Sequence, residues 1–357
     1  MFPPAHSQDA DSSIRLTDTD ASLARLSAVQ KRYLEDPYIK HLVPRSHLQP
    51  PRPPLINIGT FVRATAIDDL VFQWLQRSTD LGTRCQIVSL GAGSDTRFWR
   101  IATGAHKVAL AAYVELDFPE ITSKKAMAIR KSRDLSAVLG NPADVTVAHG
   151  GTGLHSPTYH LFPADLRLPP ADTLGTLLAS PSGALLSPAL PTLLLFECVL
   201  VYMTPTASSA LLQWFVDYFS PEGSAVLGSI VYEMFRLQDS FGRVMVENLR
   251  ARHVSLPGAA PYPDVHSLPG RFLALGFTAA RALTLKEIRK SYIPRTELER
   301  ISQLELIDEI EELDLVLDHY AITWGLFVSP AVAVAWGEWG LRVKAAPPVD
   351  EDEEDEE

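Results

Sequence analysis

The chain has 357 residues, 46% of them hydrophobic and 21% charged, which is enough to bury the core of a globular protein. Its formal charge is −11, but eight acids form the run 350–357, so the body carries about −3 and neither part attracts a nucleic-acid backbone. The longest apolar stretch, 190–203, contains Glu197 and is too short for a bilayer, and residues 1–20 lack a signal-peptide core, so membrane and secreted classes are set aside.

Residues 1–16 read as a flexible lead, and Thr19 or Asp20 caps a helix running to about Leu34. A proline-rich linker, 44–54, precedes a second helix with the apolar stripe Ile67, Leu70, Val71, Trp74 and Leu75. These two helices, within 17–80, are placed to form a lid. The apolar run Cys85-Gln86-Ile87-Val88-Ser89-Leu90 then ends in Gly91-Ala92-Gly93-Ser94-Asp95-Thr96-Arg97. A second strand, 108–114, ends in Glu115-Leu116-Asp117. Glycine brings backbone close to a ligand, a helix start offers unpaired N–H groups, and an acid about 20 residues on suits a ribose diol. The order therefore fits a nucleoside-containing cofactor. Glu115 and Asp117 share one strand face by period two, so both acids remain candidates at this point.

Pro119 opens a helix to about Ser132, and its Lys124, Lys125, Arg130 and Lys131 read as a solvated face. Residues 141–158 have no clear pattern, 159–162 form a third strand, and 169–188 look like a surface insertion. The segment 190–203 is the central strand, a continuous apolar run in which the carboxylate of Glu197 is costly unless paired. Thr204-Pro205 begins a helix through Phe219. A fifth strand (225–232), a helix (235–252), a sixth strand (277–283), one long helical region (294–317) and a seventh strand (319–327) follow. Residues 331–341, with Trp336 and Trp339, read as an edge strand or a packed arm, and 346–357 as a disordered acidic tail. The alternation predicts one open α/β sheet, covered on both faces, in a single domain over 17–345.

Some chemistries are set aside. His149, His155 and His160 are irregularly spaced and no HExxH or cysteine cluster is present, so no metal site is expected. Ser89 and Ser94 lack a nucleophile elbow, and the third glycine of the dinucleotide fingerprint is missing. Cys85 and Cys198 lie in strand-like runs and read as free buried thiols of a cytoplasmic protein.

Several stretches, taken in order, carry a family resemblance. They are Arg63-Ala64-Thr65, the glycine turn through Phe98-Trp99, Glu115-Leu116-Asp117-Phe118-Pro119, Ala164-Asp165-Leu166-Arg167, Glu197-Cys198-Val199-Leu200-Val201-Tyr202-Met203, the stretch 241–249 and Leu306-Ile307-Asp308-Glu309. Over about residues 20–328 the chain resembles the class I S-adenosylmethionine-dependent methyltransferases, and within them the leucine carboxyl methyltransferases. The resemblance implies a Rossmann-like sheet of seven mostly parallel strands, the last antiparallel, with an N-terminal helical lid.

It also implies S-adenosyl-L-methionine as cofactor. The implied acceptor is the C-terminal leucine carboxylate of the protein phosphatase 2A catalytic subunit, docked through its tail and the surface near its active site. Nucleic acid and membrane are not expected as partners, and the chain is expected to be a monomer. By the same resemblance Gly91 and Gly93 approach the donor's methionine portion. Asp117, rather than Glu115, takes the ribose hydroxyls, Asp165 and Leu166 hold the adenine, and Glu197 lies at the cofactor. Arg63 holds the donor's carboxylate with Arg25 as a second basic contact, while Arg167 and Tyr202 are candidates for the acceptor carboxylate. Three alternatives remain: a small-molecule O-methyltransferase, a wybutosine-type tRNA-pathway enzyme, and a regulatory protein that binds S-adenosylmethionine without turnover.

Overall fold

The computed structural model describes residues 11–178, 184–220, 226–308 and 310–344. The expected acidic tail, residues 1–10 of the expected lead and part of the 169–188 insertion lie outside the described residues. Among the described residues nine strands form one sheet: β1 (Cys85–Leu90), β2 (Leu110–Asp117), β3 (Thr146–Ala148), β4 (Gly153–His155), β5 (Tyr159–Pro163), β6 (Thr192–Glu197), β7 (Val226–Met234), β8 (Ala279–Thr284) and β9 (Tyr320–Val328). Their order is β3-β4-β5-β2-β1-β6-β7-β9-β8. From β5 to β7 the pairings are parallel, and β9 runs antiparallel to both β7 and β8.

The apolar runs explain the layering. Every residue of β1 is buried. Side chains alternate along β6, so Leu193 and Leu195 join the core that holds Trp74 and Ile87. Leu194 and Phe196 face the opposite core with Val88, Phe215 and Phe219. A 27-residue helix, Pro54–Asp80, covers the first face, and the helix Pro205–Phe219 covers the second. Both begin with proline at a position where the missing N–H costs nothing.

Four expectations need correction. The sheet has nine strands, because residues 146–155 of the unplaced segment form an antiparallel hairpin on β5. The first helix spans Ser12–Gln30 instead of starting at Thr19 or Asp20, so residues 12–16 belong to it and not to a flexible lead. Its start was hidden because one stripe is polar: Asp11, Asp18 and Arg25 recur every seven residues. The second helix already starts at Pro54, inside the stretch read as linker. The long region 294–317 is two helices, Arg295–Ser302 and Ile310–Leu317. Between them Glu305 accepts a hydrogen bond from Asn57 Nδ2 at 2.7 Å and pairs with Lys31 at 2.9 Å, which ties the break to the first two helices.

The terminal segment is a packed arm containing a short helix, Ala333–Trp336. Trp336 and Trp339 stand 4.3 and 5.0 Å from the Trp74 ring, and Trp339 Nε1 donates to the Leu70 carbonyl at 2.9 Å. No described helix is long and apolar enough to cross a membrane. Trp339→Ala is expected to lower unfolding stability by about 3–5 kcal/mol in urea titration, since it empties a buried aromatic site and removes the indole hydrogen bond to Leu70.

Candidate functional site

The loops that follow β1, β2, β5 and β6, together with the first helix, enclose a cavity of ≈ 360 Å³. It lies at the β1–β6 junction, where the sheet order reverses and open α/β sheets bind ligands. Gly91 has φ +68°, and a Cβ there would sit 2.4 Å from Val199 Cγ2, so the β1 and β6 loops meet only across glycine. Gly93 has φ +48°, and its Cβ would collide with Asp18 of the first helix.

All ten residues singled out from the sequence line this cavity: Arg25, Arg63, Gly91, Gly93, Asp117, Asp165, Leu166, Arg167, Glu197 and Tyr202. Asp117 ends β2 and accepts from the amides of Gly93 and Phe118, both at 2.7 Å. Burial outweighs those two hydrogen bonds and raises its pKa to about 6. Glu115, two residues earlier, is fully buried, with Lys125 Nζ at 2.5 Å and Tyr159 Oη at 2.7 Å. Burial against Lys125's opposing charge leaves its pKa at about 7.

Arg167 does not present an open fork. Its Nη1 and Nη2 each donate to Asp11 at 2.7 Å, while Nε and Nη2 donate to Asp165 at 2.9 and 2.7 Å. Those hydrogen bonds lower the pKa of Asp165 and raise that of Arg167. Tyr202 lies in a short turn after β6, and burial raises its phenol well above the usual range.

Two arginines that line the cavity have a buried nitrogen without a hydrogen-bond partner. Arg25 donates through Nε to Asp36 at 2.6 Å, but its buried Nη2 has no partner. Arg63 is stacked 5.1 Å from the Tyr232 ring and lies 3.5 Å from Glu197, and its Nε makes no hydrogen bond. Buried guanidinium hydrogens without acceptors suit an anionic ligand group.

Sequence reasoning gave no role to Arg97, although it stands in the glycine motif. The residue is 1% exposed and donates to Asp68 at 2.9 Å, Asp95 at 2.6 Å and Glu197 at 3.0 Å. Burial alone would lower its pKa, but Asp95, Glu197 and Asp68 together hold it well above normal. Asp18, Tyr232, Arg252 and Tyr320 were missed too, and all four line the cavity. Asp18 accepts from the Ser94 amide at 2.7 Å. A signal for it existed in the seven-residue recurrence of charge along the first helix. Among the described residues no group of three His, Cys, Asp or Glu side chains is placed to hold a metal ion. His155 instead packs between His160 and Phe162.

Comparison with known proteins gives one consistent set. The sequence profile described as leucine carboxyl methyltransferase matches residues 13–216. Leucine carboxyl methyltransferase 1 of Cryptococcus neoformans is 44% identical over 350 residues, covering 90% of this chain and 95% of that protein. The Bos taurus protein of the same name is 36% identical over 315 residues, covering 88% and 90%. The Arabidopsis thaliana homolog is 35% identical over 339 residues, covering 94% and 95%.

The Arg97 cluster generates a stability test. Arg97→Met leaves three carboxylates without their shared cation and is expected to cost about 3–5 kcal/mol in urea unfolding at pH 7.5. Arg100 and Arg97 outweigh burial at Asp68, whose pKa is depressed. Its stabilising contribution is therefore present above the unfolded value of 3.8 and is lost as pH falls further. The gap between wild type and variant should narrow below about pH 4.

Proposed function

The chain belongs to the leucine carboxyl methyltransferase family, and on that premise we propose that it methyl-esterifies the C-terminal leucine carboxylate of the protein phosphatase 2A catalytic subunit. It is an S-adenosylmethionine-dependent carboxyl methyltransferase of this type. One juxtaposition carries the proposal: a single cavity combines a glycine turn, acids at three strand ends and two arginines with unsatisfied buried nitrogens.

The residues present fit S-adenosylmethionine. The glycine cradle at Gly91 and Gly93 has no room for side chains, and the unpartnered Nη2 of Arg25, with Arg63, whose Nε stands 3.5 Å from Glu197 without a hydrogen bond, matches its α-carboxylate. Asp117 is assigned to the ribose hydroxyls, with its amide contacts fixing the carboxylate in place. Asp165 is assigned to the adenine amine and Leu166 to the ring. Glu197, fixed by Arg97, keeps a negative charge near the donor. When bound, the donor supplies an electrophilic methyl group on a cationic sulfur.

An acceptor α-carboxyl group has a pKa of roughly 3.5, so it arrives ionised and needs no general base. The chain's contribution is then placement and exclusion of water. The first helix covers one side of the cavity, and Tyr232 and Tyr320, stacked 5.5 Å apart, line another. The Tyr202 hydroxyl is assigned to donate a hydrogen bond to the acceptor. Arg167, already engaged by two carboxylates, is assigned to orienting Asp165 and not to the acceptor.

Two measurements test the assignment. Labelled S-adenosylmethionine with intact phosphatase catalytic subunit should give base-labile label, and deletion of the terminal leucine should abolish it. Label that persists without the leucine would refute the acceptor. Donor binding should also depend on pH, because Asp117 accepts both ribose hydroxyls only when ionised. Calorimetric affinity should be level above about pH 7 and fall by about tenfold in all as pH drops through its pKa of about 6. Asp117→Asn should bind about tenfold more weakly at pH 7.5 and lose that slope.

A further inference from the structure

The cavity has two chemically different ends. The loops after β1, β2 and β5 bring the glycine turn, Asp117 and Asp165, whereas those around β6, β7 and β9 bring Tyr202, Met203, Tyr232 and Tyr320. Of the donor assignments, Gly91, Gly93, Asp117, Asp165 and Leu166 lie at the first end, while Glu197 and Arg63, 5.1 Å from the Tyr232 ring, reach the second, whose tyrosines are left for the acceptor. An acceptor carboxylate needs a cation there that can change partners. Arg97 and Arg167 each serve two or three carboxylates already.

Arg252 differs. It follows the helix Ser240–Ala251, lines the cavity and pairs through Nη2 with Asp20 of the first helix. Both side chains are about half exposed, at 53% and 50%. Pairs of that exposure are weak and easily exchanged. Asp20 also has a second cation, Arg52, at 4.0 Å. Burial raises the Tyr202 phenol, and the charge of Arg252 pulls it the other way, which places Arg252 within electrostatic reach of the acceptor end.

We propose that Arg252 receives the acceptor's terminal carboxylate and that Asp20 holds this position in its absence as a built-in carboxylate surrogate. The inference rests on the function proposed above and extends it to acceptor recognition. One carboxylate replaces another on the same guanidinium, so Arg252 stays paired, and the displaced Asp20 keeps Arg52 as its cation while the acceptor adds one negative charge to the site. Esterification then neutralises the acceptor oxygen. The product loses its hold on Arg252, Asp20 returns, and the swap favours release of ester over acid.

The sign of two substitutions tests this. With phosphatase catalytic subunit as acceptor, Arg252→Ala should raise KM about tenfold, the usual size of a lost charge-assisted contact. Asp20→Asn should lower KM by about two- to threefold, in line with removing a weak competitor. Arg252→Lys should fall between wild type and alanine, because it keeps the charge without the planar fork. Calorimetric affinity for S-adenosylmethionine should stay within about twofold of wild type in all three, since neither Arg252 nor Asp20 is among the donor's assigned contacts. If Arg252 and Asp20 form only a structural staple, Arg252→Ala and Asp20→Asn will move KM, or donor affinity, in the same direction, and the proposal is overturned. An unchanged KM in Arg252→Ala overturns it too. A wild-type chain that transfers no label to the subunit would remove the functional reading and this inference together.

Discussion

The buried guanidinium of Arg97 is the constraint on which the site depends. Its three carboxylate partners come from separate parts of the chain: Asp68 from the long helix, Asp95 from the glycine turn and Glu197 from the end of β6. Removing three acids and a cation from water is unfavourable unless all their hydrogen bonds are made together. The cluster therefore fixes the relative positions of those elements more tightly than apolar packing, which tolerates sliding. Arg100 adds a second cation to Asp68 at 2.5 Å, and Lys125 donates to the Asp95 carbonyl at 2.8 Å. The cavity is shaped by this network before any ligand contributes.

The sheet separates charge from aromatic surface. On the β2–β5 side, acids end the strands and are held by amides or by Arg167. On the β7–β9 side, Tyr232 and Tyr320 stack across neighbouring antiparallel strands. A polar, partly cationic donor and an acceptor polypeptide thus meet different surfaces within one cavity. The first helix connects the two, with Asp11 reaching Arg167, Asp18 reaching Ser94 and Asp20 reaching Arg252. Its second part is anchored by the buried Leu26 and Ala28, whereas none of residues 11–21 is buried. Over the cavity the helix is held by charge and hydrogen bonds.

Much of the frame was legible because the strands are apolar runs with clear ends. β1 matched its predicted span, and Thr204 does accept from the Ala207 amide as an N-cap. The site positions were legible where a residue broke its local pattern, as Glu197 does in β6. What stayed hidden has a common cause. Asp11, Asp18 and Arg25 are polar residues on an inward-facing stripe, so hydrophobic periodicity passed over the start of their helix. Arg97 looked like an ordinary helix-start cation, because two of its three partners, Asp68 and Glu197, lie 29 and 100 residues away in sequence. Tyr232 and Tyr320 lie 88 positions apart and become neighbours only through the antiparallel return of β9. The β3–β4 hairpin is too short to give a period.

That hairpin has a consequence for the molecule in solution. Without it β5 would be the outermost strand, offering five residues of unpaired backbone beside the loop that carries Asp165. Parallel strands with open backbone invite a foreign chain to add on. The hairpin moves the free border outward to β3, three residues long and mostly solvent-facing, which is too short to seed stacking of neighbouring molecules. The two added strands thus shield the cofactor side of the sheet from self-association.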